Sequence, residues 1–294
     1  FPLTLHNRSR EREAVLLEGL AGAAAQRAGS PAELAAAVGT GILCLCLSDD
    51  AAVEAVLLEG EGAALRHLRP GALVLDFSTI APATTERLAA RCAAAGVGWL
   101  DAPVTGGTEG ARAGSLSVLV GGDAADLERA RPLLEVVGGR ITHLGPLGAG
   151  QQAKAVNQVL VAGSYAAVAE ALALGQRFGL AMPQVVEALQ GGAAGSWALS
   201  HRAANMLHGH YPLGFRLALH RKDLAIALEA AAAAGLELPV SQQVAALEDA
   251  LIARGHGDDD VSALARWFTS DPRHAPATTP PRPDPPSASH PQQA

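Results

Sequence analysis

The sequence predicts an α/β domain over residues 1–147 followed by an all-α domain over residues 148–270. Up to about residue 147, short runs rich in Val, Leu and Ile alternate with capped, Ala-rich helical stretches, the rhythm of a sheet covered by helices. After Gly150 the strand signal stops and helical periodicity takes over. A chain of 294 residues, 49% of them hydrophobic, has enough apolar surface for two cores.

Taken in order, the expected strands are PLTLHN (2–7), GILCLCL (41–47), ALVLDF (72–77), VGWLDAP (97–103), LSVLVGG (116–122) and RITHLG (140–145). Most are too continuously apolar to leave one face in water, as expected of strands buried on both sides. Ser30-Pro31-Ala32-Glu33 reads as a helix start, with Ser30 as N-cap, Pro31 at N1 and Glu33 closing a capping box. Ser48 before Asp49-Asp50 marks a second start, because a cap oxygen and an acidic first turn suit the positive helix end. In the second half, breaks are expected at Gly179, Gly191-Gly192, Pro212, Gly235 and Gly255. Residues 271–294 are Pro-rich with almost no apolar anchors, so burial cannot offset ordering entropy and a disordered tail is expected.

Bulk properties exclude several functions. A net charge of -7 and a pI near 5.8 leave no basic footprint for nucleic acid. The longest apolar run, residues 155–175, carries Asn157, Gln158, Ser164 and Glu170, too many polar groups for a membrane span, so the protein is read as soluble and cytoplasmic. Cys44, Cys46 and Cys92 form no even framework and no CxxC pair. Cys44 and Cys46 are expected to share one face of a buried strand as small core filler. His208-Gly209-His210 lacks a third ligand at helical spacing, so no metal is expected, and GxSxG, HExxH and Walker-type patterns are absent. The chain opens on Phe1, which reads as a fragment or processed start and leaves a preceding targeting segment open.

Four stretches carry possible chemistry. DAPVTGG (101–107) ends a strand with Thr105, Gly106 and Gly107, which form either a carboxylate nest or an ordinary strand-to-helix turn. In GAGQQAKAVNQ (148–158), Lys154 and Asn157 share a helical face, and no acid sits at i+3 or i+4 of Lys154 to mark a surface ion-pair lattice. Lys154 is therefore either a wet-face lysine or a buried amine whose lowered pKa suits proton transfer. In FRLALHRKDLAIAL (215–228), Lys222-Asp223 is either a solvated pair or a second positive group over the same cleft, oriented by Asp223. HNRSRERE (6–13) places Asn7, Arg8 and Ser9 directly after the first expected strand. In a dinucleotide-binding unit that position takes an acid for NAD or an arginine for NADP, and Arg8 can grip a 2′-phosphate with two donors; a plain surface arginine is the alternative.

Jointly, DAPVTGG with GSLSVLVGGD, then GAGQQAKAVNQ, then FRLALHRKDL resemble the β-hydroxyacid dehydrogenase family, which includes 3-hydroxyisobutyrate dehydrogenases, tartronate semialdehyde reductases and glyoxylate/succinic semialdehyde reductases. The resemblance extends to about Phe268 and implies a Rossmann-type N-terminal domain, a long interdomain helix and a helical domain that mediates homodimers or homotetramers. It implies that Lys154 is the catalytic lysine with Asn157 beside it, that Thr105-Gly106-Gly107 holds a substrate carboxylate, and that Lys222 lines the cleft. Leu47, Ser48, Thr79, Phe215 and Asp223 then lie toward the cofactor, with Asn7, Arg8 and Ser9 at its ribose end. The expected cofactor is NADP, with NAD as the alternative, and the expected partner is a small carboxylate-bearing semialdehyde or hydroxyacid.

The departure is at the front, where the family opens with a strand and a GxGxxG-type loop that this sequence does not show. PLTLHNRS matches the second strand of the pattern, so an N-terminally truncated record is expected. Val156 stands where 6-phosphogluconate dehydrogenases carry a histidine, and Lys154 stands where imine reductases usually replace the lysine. Retention of Lys154, Asn157 and Lys222 weighs against a non-catalytic cofactor-binding scaffold. KAVNQV and LHRKDL favour a tartronate semialdehyde reductase-like activity, ahead of 3-hydroxyisobutyrate dehydrogenase or glyoxylate/succinic semialdehyde reductase, and GGAAGSW (191–197) lies where substrate side groups are sensed.

Overall fold

The computed structural model describes residues 1–20 and 24–269, so the expected Pro-rich tail lies outside the described residues. A short parallel ribbon joins β1 (Leu3–Leu5) to β2 (Ala25–Arg27), with α1 (Arg10–Gly19) between them. α2 (Pro31–Val38) leads to the main sheet. There β3 (Ile42–Leu45), β4 (Leu73–Asp76) and β5 (Gly98–Asp101) run parallel, linked by α3 (Asp50–Leu58) and α4 (Pro82–Ala94). The sheet continues through β6 (Val104–Thr105), α5 (Gly107–Ala113), β7 (Leu116–Gly122), α6 (Ala124–Val137) and β8 (Gly138–Gly145). β7 is antiparallel to both β5 and β6 and parallel to β8.

The period of two explains why β4 is the heart of the sheet. Val74 points into a core with Leu43, Leu45, Val53, Leu57, Leu88 and Trp99, whereas Leu73 and Leu75 point into the opposite core with Leu100, Val118, Leu127 and Leu134. Helices cover both faces, and all four β4 residues are buried.

The rest is helical. α7 (Ala149–Arg177) is followed by α8 (Met182–Gln190), α9 (Trp197–Leu207), α10 (Leu217–Ala233), α11 (Pro239–Ala253) and the short α12 (Arg266–Thr269), and the expected breaks all fall between these helices. Their inward faces meet in one core that includes Ala162, Tyr165, Leu172, Leu199, Met206, Leu217, Leu224 and Leu251.

A sheet carboxylate fixes where α7 starts. Asp101 at the end of β5 accepts the N–H of Gly148 at 2.8 Å and that of Gln151 at 2.9 Å, capping the first turn from outside its own segment. Gly150 sits so close that a Cβ there would lie 2.7 Å from the Asp101 carbonyl oxygen and would also strike the carbonyl oxygen of Leu119.

Four expectations need correction. β2 and β6 were not expected, because AQR and VT are too short and polar to signal strands alone; each is defined by the neighbour it pairs with. The N-cap of α3 is Asp49, which accepts from the N–H of Ala52 at 2.8 Å, while the Ser48 hydroxyl donates to Asp49. Ser30 does cap α2, but the Glu33 carboxylate closes back on the N–H of Gly29 at 2.5 Å, one residue earlier than the box requires. Cys44 and Cys46 do share a face, yet that face is exposed, because Leu43 and Leu45 take the inward positions of β3.

Candidate active site

The carboxyl ends of β3 and β4 form one wall. Asp76 closes β4 fully buried; one oxygen accepts the N–H of Ser78 at 2.9 Å and the other has no partner among the described residues. Burial pushes its carboxyl up to about 7, against the pull of the Ser78 bonds. The Ser78 hydroxyl accepts the N–H of Leu47 at 2.9 Å, which clamps the Leu47-Ser48 loop beside Thr79. Gln151, buried on α7, grips the same turn through the Ser78 carbonyl at 2.8 Å and the N–H of Ile80 at 3.3 Å.

The opposite wall is the turn after β6. Gly106 and Gly107 adopt φ of 133° and 66°, values that favour glycine, and the first turn of α5 has no side-chain cap for its N–H groups. Lys154, in the second turn of α7, donates from Nζ to the main-chain oxygen of Val104 at 2.9 Å, immediately before Thr105-Gly106-Gly107. Its side chain is buried, at 7% exposure, and desolvation pushes its pKa down to about 8. The Asp223 carboxylate opposes that shift and the Lys222 ammonium adds to it.

A polar relay runs from α7 through α10 to the turn after β4. Asn157 donates to the Gln158 side-chain oxygen at 2.6 Å, and Gln158 donates to Asp223 Oδ2 at 2.9 Å. Asp223 Oδ1 pairs with Lys222 Nζ at 2.6 Å, and Lys222 donates to the Thr79 carbonyl at 2.5 Å. No hydrogen bond joins Asn157 to Lys154 among the described residues; the amide is oriented by Gln158 instead. Gln151, Gln158 and Asp101 were not among the expected site residues. The signal for the two glutamines was a polar row at 151, 154 and 158 on a largely apolar helix, where water-facing positions were equally permitted.

The remaining expected residues lie further out. Asn7 donates to the Ser9 carbonyl at 2.8 Å and Ser9 opens α1. Arg10 and Arg27 both pair with Glu13, but Arg8 is exposed and enters no hydrogen bond or ion pair among the described residues. Phe215 is half-buried; its N–H donates to Asp260 at 2.9 Å and its ring meets His220 edge-on. Asp49 connects the two ends. Its carboxyl is held below the usual range first by the Ala52 N–H, with Lys222 and Arg8 adding to the effect. Among the described residues, no group of three His, Cys, Asp or Glu is placed to hold a metal.

A dinucleotide fits this arrangement. The loop after β1 carries Arg8, whose guanidinium has no partner among the described residues, and Lys222 of α10 reaches the loop after β4, so two positive groups at separate points suit a ligand with phosphate at one end and an amide-bearing ring at the other.

Comparison with known proteins agrees. Residues 1–145 match the NAD binding domain of 6-phosphogluconate dehydrogenase, and residues 148–268 match the NAD-binding segment of NADP-dependent 3-hydroxyisobutyrate dehydrogenase. The chain is 38% identical to NAD-dependent L-serine dehydrogenase of Pseudomonas aeruginosa, over 86% of each chain. It is 40% identical to 2-hydroxy-3-oxopropionate reductase of Escherichia coli, over 76% of this chain and 77% of the relative. The solved structure of Psf3 in complex with NADP+ and 2-OPP superposes with a TM-score of 0.83 at 27% identity, covering 92% of each chain.

Proposed function

This chain belongs to the β-hydroxyacid dehydrogenase family, NAD(P)-dependent oxidoreductases acting on CH–OH groups, and from that premise we propose that it interconverts a small β-hydroxyacid and its semialdehyde through Lys154. Tartronate semialdehyde is the preferred substrate in this reading, supported by the likeness to the 2-hydroxy-3-oxopropionate reductase. The observation that carries the reading is one buried amine, pushed down to about 8, bonded to the main-chain oxygen of Val104, two residues before the glycine pair.

The nicotinamide, when bound, supplies hydride to the aldehyde carbon or takes it from the alcohol carbon. In reduction, Lys154 as ammonium donates a proton to the oxygen that becomes the hydroxyl; in oxidation, neutral Lys154 accepts that proton. Thr105-Gly106-Gly107 and the uncapped N–H groups of α5 hold the substrate carboxylate. Asn157, with one amide hydrogen committed to Gln158, contributes its remaining amide groups to orienting the substrate oxygen. Lys222, fixed by Asp223 and the Thr79 carbonyl, holds the cofactor side of the cleft. Arg8 takes a 2′-phosphate, which makes NADPH the preferred cofactor over NADH. Val156, Leu160, Leu174 and Phe178 leave an exposed apolar row along α7, which supports the expected homo-oligomer.

The test is a substrate screen of the purified protein, following loss of NADPH or NADH with tartronate semialdehyde, methylmalonate semialdehyde, succinic semialdehyde and glyoxylate. The highest kcat/KM is expected for tartronate semialdehyde with NADPH. Turnover of none of the four would contradict the reading.

A further inference from the structure

Beside the glycine pair stands an ion pair that the proposed chemistry does not use. Glu109, in the first turn of α5, pairs through Oε1 with Arg202 Nη2 of α9 at 2.6 Å. Its other oxygen accepts the Thr108 hydroxyl at 3.2 Å and lies 3.0 Å from where a Cβ on Gly107 would be. The carboxylate therefore lies over the turn that receives the substrate carboxylate in the reading above.

The two partners differ in freedom. The Arg202 side chain is only 10% exposed and its guanidinium lies 4.5 Å over the Trp197 ring, whereas the Glu109 side chain is 51% exposed. Arg202 Nε is buried with no hydrogen-bond partner among the described residues, and Asp260 stands off from it at 3.8 Å. Asp260 is itself occupied, accepting from the N–H groups of Gly214 and Phe215 at 2.9 Å and from Ser262. A fixed cation thus faces the loop between one movable carboxylate and one fixed carboxylate, leaving the cluster one negative charge in excess.

We propose that Glu109 and Arg202 form a charge filter that sets substrate class: the pair admits small 3-hydroxy monocarboxylates and rejects those bearing a second anionic group. The inference rests on the substrate carboxylate docking at Thr105-Gly106-Gly107. A second carboxylate extending past Gly107 meets the Glu109 carboxylate, and Arg202 is already claimed. Neutralising Glu109 frees a donor-rich guanidinium at that position, which turns rejection into recognition. Glu109 is ionised at neutral pH, because the Arg202 bond holds its carboxyl below the usual range.

The experiment compares wild type, Glu109→Gln and Arg202→Gln, each checked for fold by circular dichroism. The probes are a monocarboxylate, 3-hydroxyisobutyrate, and a dicarboxylate, 2-(hydroxymethyl)glutarate. Both are assayed for oxidation and titrated calorimetrically into the cofactor-loaded protein. The expected result is at least a tenfold preference of wild type for the monocarboxylate. Glu109→Gln should shift that ratio tenfold or more toward the dicarboxylate, and Arg202→Gln should shift it the other way. Ratios that stay within threefold of wild type in both folded variants overturn the filter. If calorimetric ratios move as stated while no hydroxyacid is oxidised, the filter stands and the catalytic reading falls.

Discussion

The Nζ of Lys154 donates to the main-chain oxygen of Val104 at 2.9 Å, which pins the second turn of α7 to the strand leading into the glycine pair. That bond keeps a lysine inside the protein with one neutral acceptor among the described residues. Its charge is balanced at longer range by Asp223 and opposed by Lys222. Three of the predictions below follow from this placement.

Activity should depend on pH with opposite signs in the two directions. With Lys154 pushed down to about 8, the ammonium needed for reduction is present below that pH and lost above it. NADPH-dependent reduction should therefore fall as pH rises through about 8, and oxidation of the alcohol should rise through the same point. Parallel profiles in both directions, measured as kcat against pH, would remove Lys154 as the proton carrier.

Stability should carry the mirror image. Below pH 8 both folded and unfolded chains hold the Lys154 proton, so the folded state bears the full cost of burying the charge. Between about 8 and 10.5 only the unfolded chain keeps it, so that cost fades as pH rises. Lys154→Met should stabilise the fold by on the order of 3 kcal/mol at pH 7 and by little at pH 10.5. Denaturant titrations at both values check this, and a destabilised variant at pH 7 would count against a desolvated amine.

Arg8 is the exposed arginine at the end of β1, free of the ion pairs that hold Arg10 and Arg27. Arg8→Ala should raise KM for NADPH by roughly tenfold or more, the scale of a charge-assisted bond of about 1.5–3 kcal/mol, and leave KM for NADH near the wild-type value. Equal effects on both cofactors would point to a structural role at the start of α1.

Gly150 tests how α7 docks. A Cβ there would lie 2.7 Å from the Asp101 carbonyl oxygen, which is backbone and cannot swing aside. Gly150→Ala should cost roughly 1–3 kcal/mol or more and lower Tm. An unchanged melting temperature would mean that α7 sits further from the sheet than described.

Much of the fold was legible because burial on both faces leaves continuous apolar runs, as in LVLD of β4, and because Gly and Pro punctuate the helices. AQR at residues 25–27 was not, since nothing in its composition says strand and only Leu3–Leu5 beside it makes it one. Within the site, Lys154 stood out as a charge on an apolar helix. Gln158 did not, because a glutamine there is ordinary until α10 brings Asp223 within 2.9 Å of it. Asp101 was visible as a strand end, but its partners Gly148 and Gln151 lie about fifty residues on, beyond any local pattern.

The most direct measurement is made on Lys154→Met. NADPH binding is followed by fluorescence titration and turnover by steady-state assay with the best substrate found in the screen. The account predicts a dissociation constant for NADPH within about threefold of wild type and kcat lower by about 10²–10⁴, the range of a lost general acid. A folded Lys154→Met protein that binds NADPH and keeps kcat within threefold of wild type would contradict it.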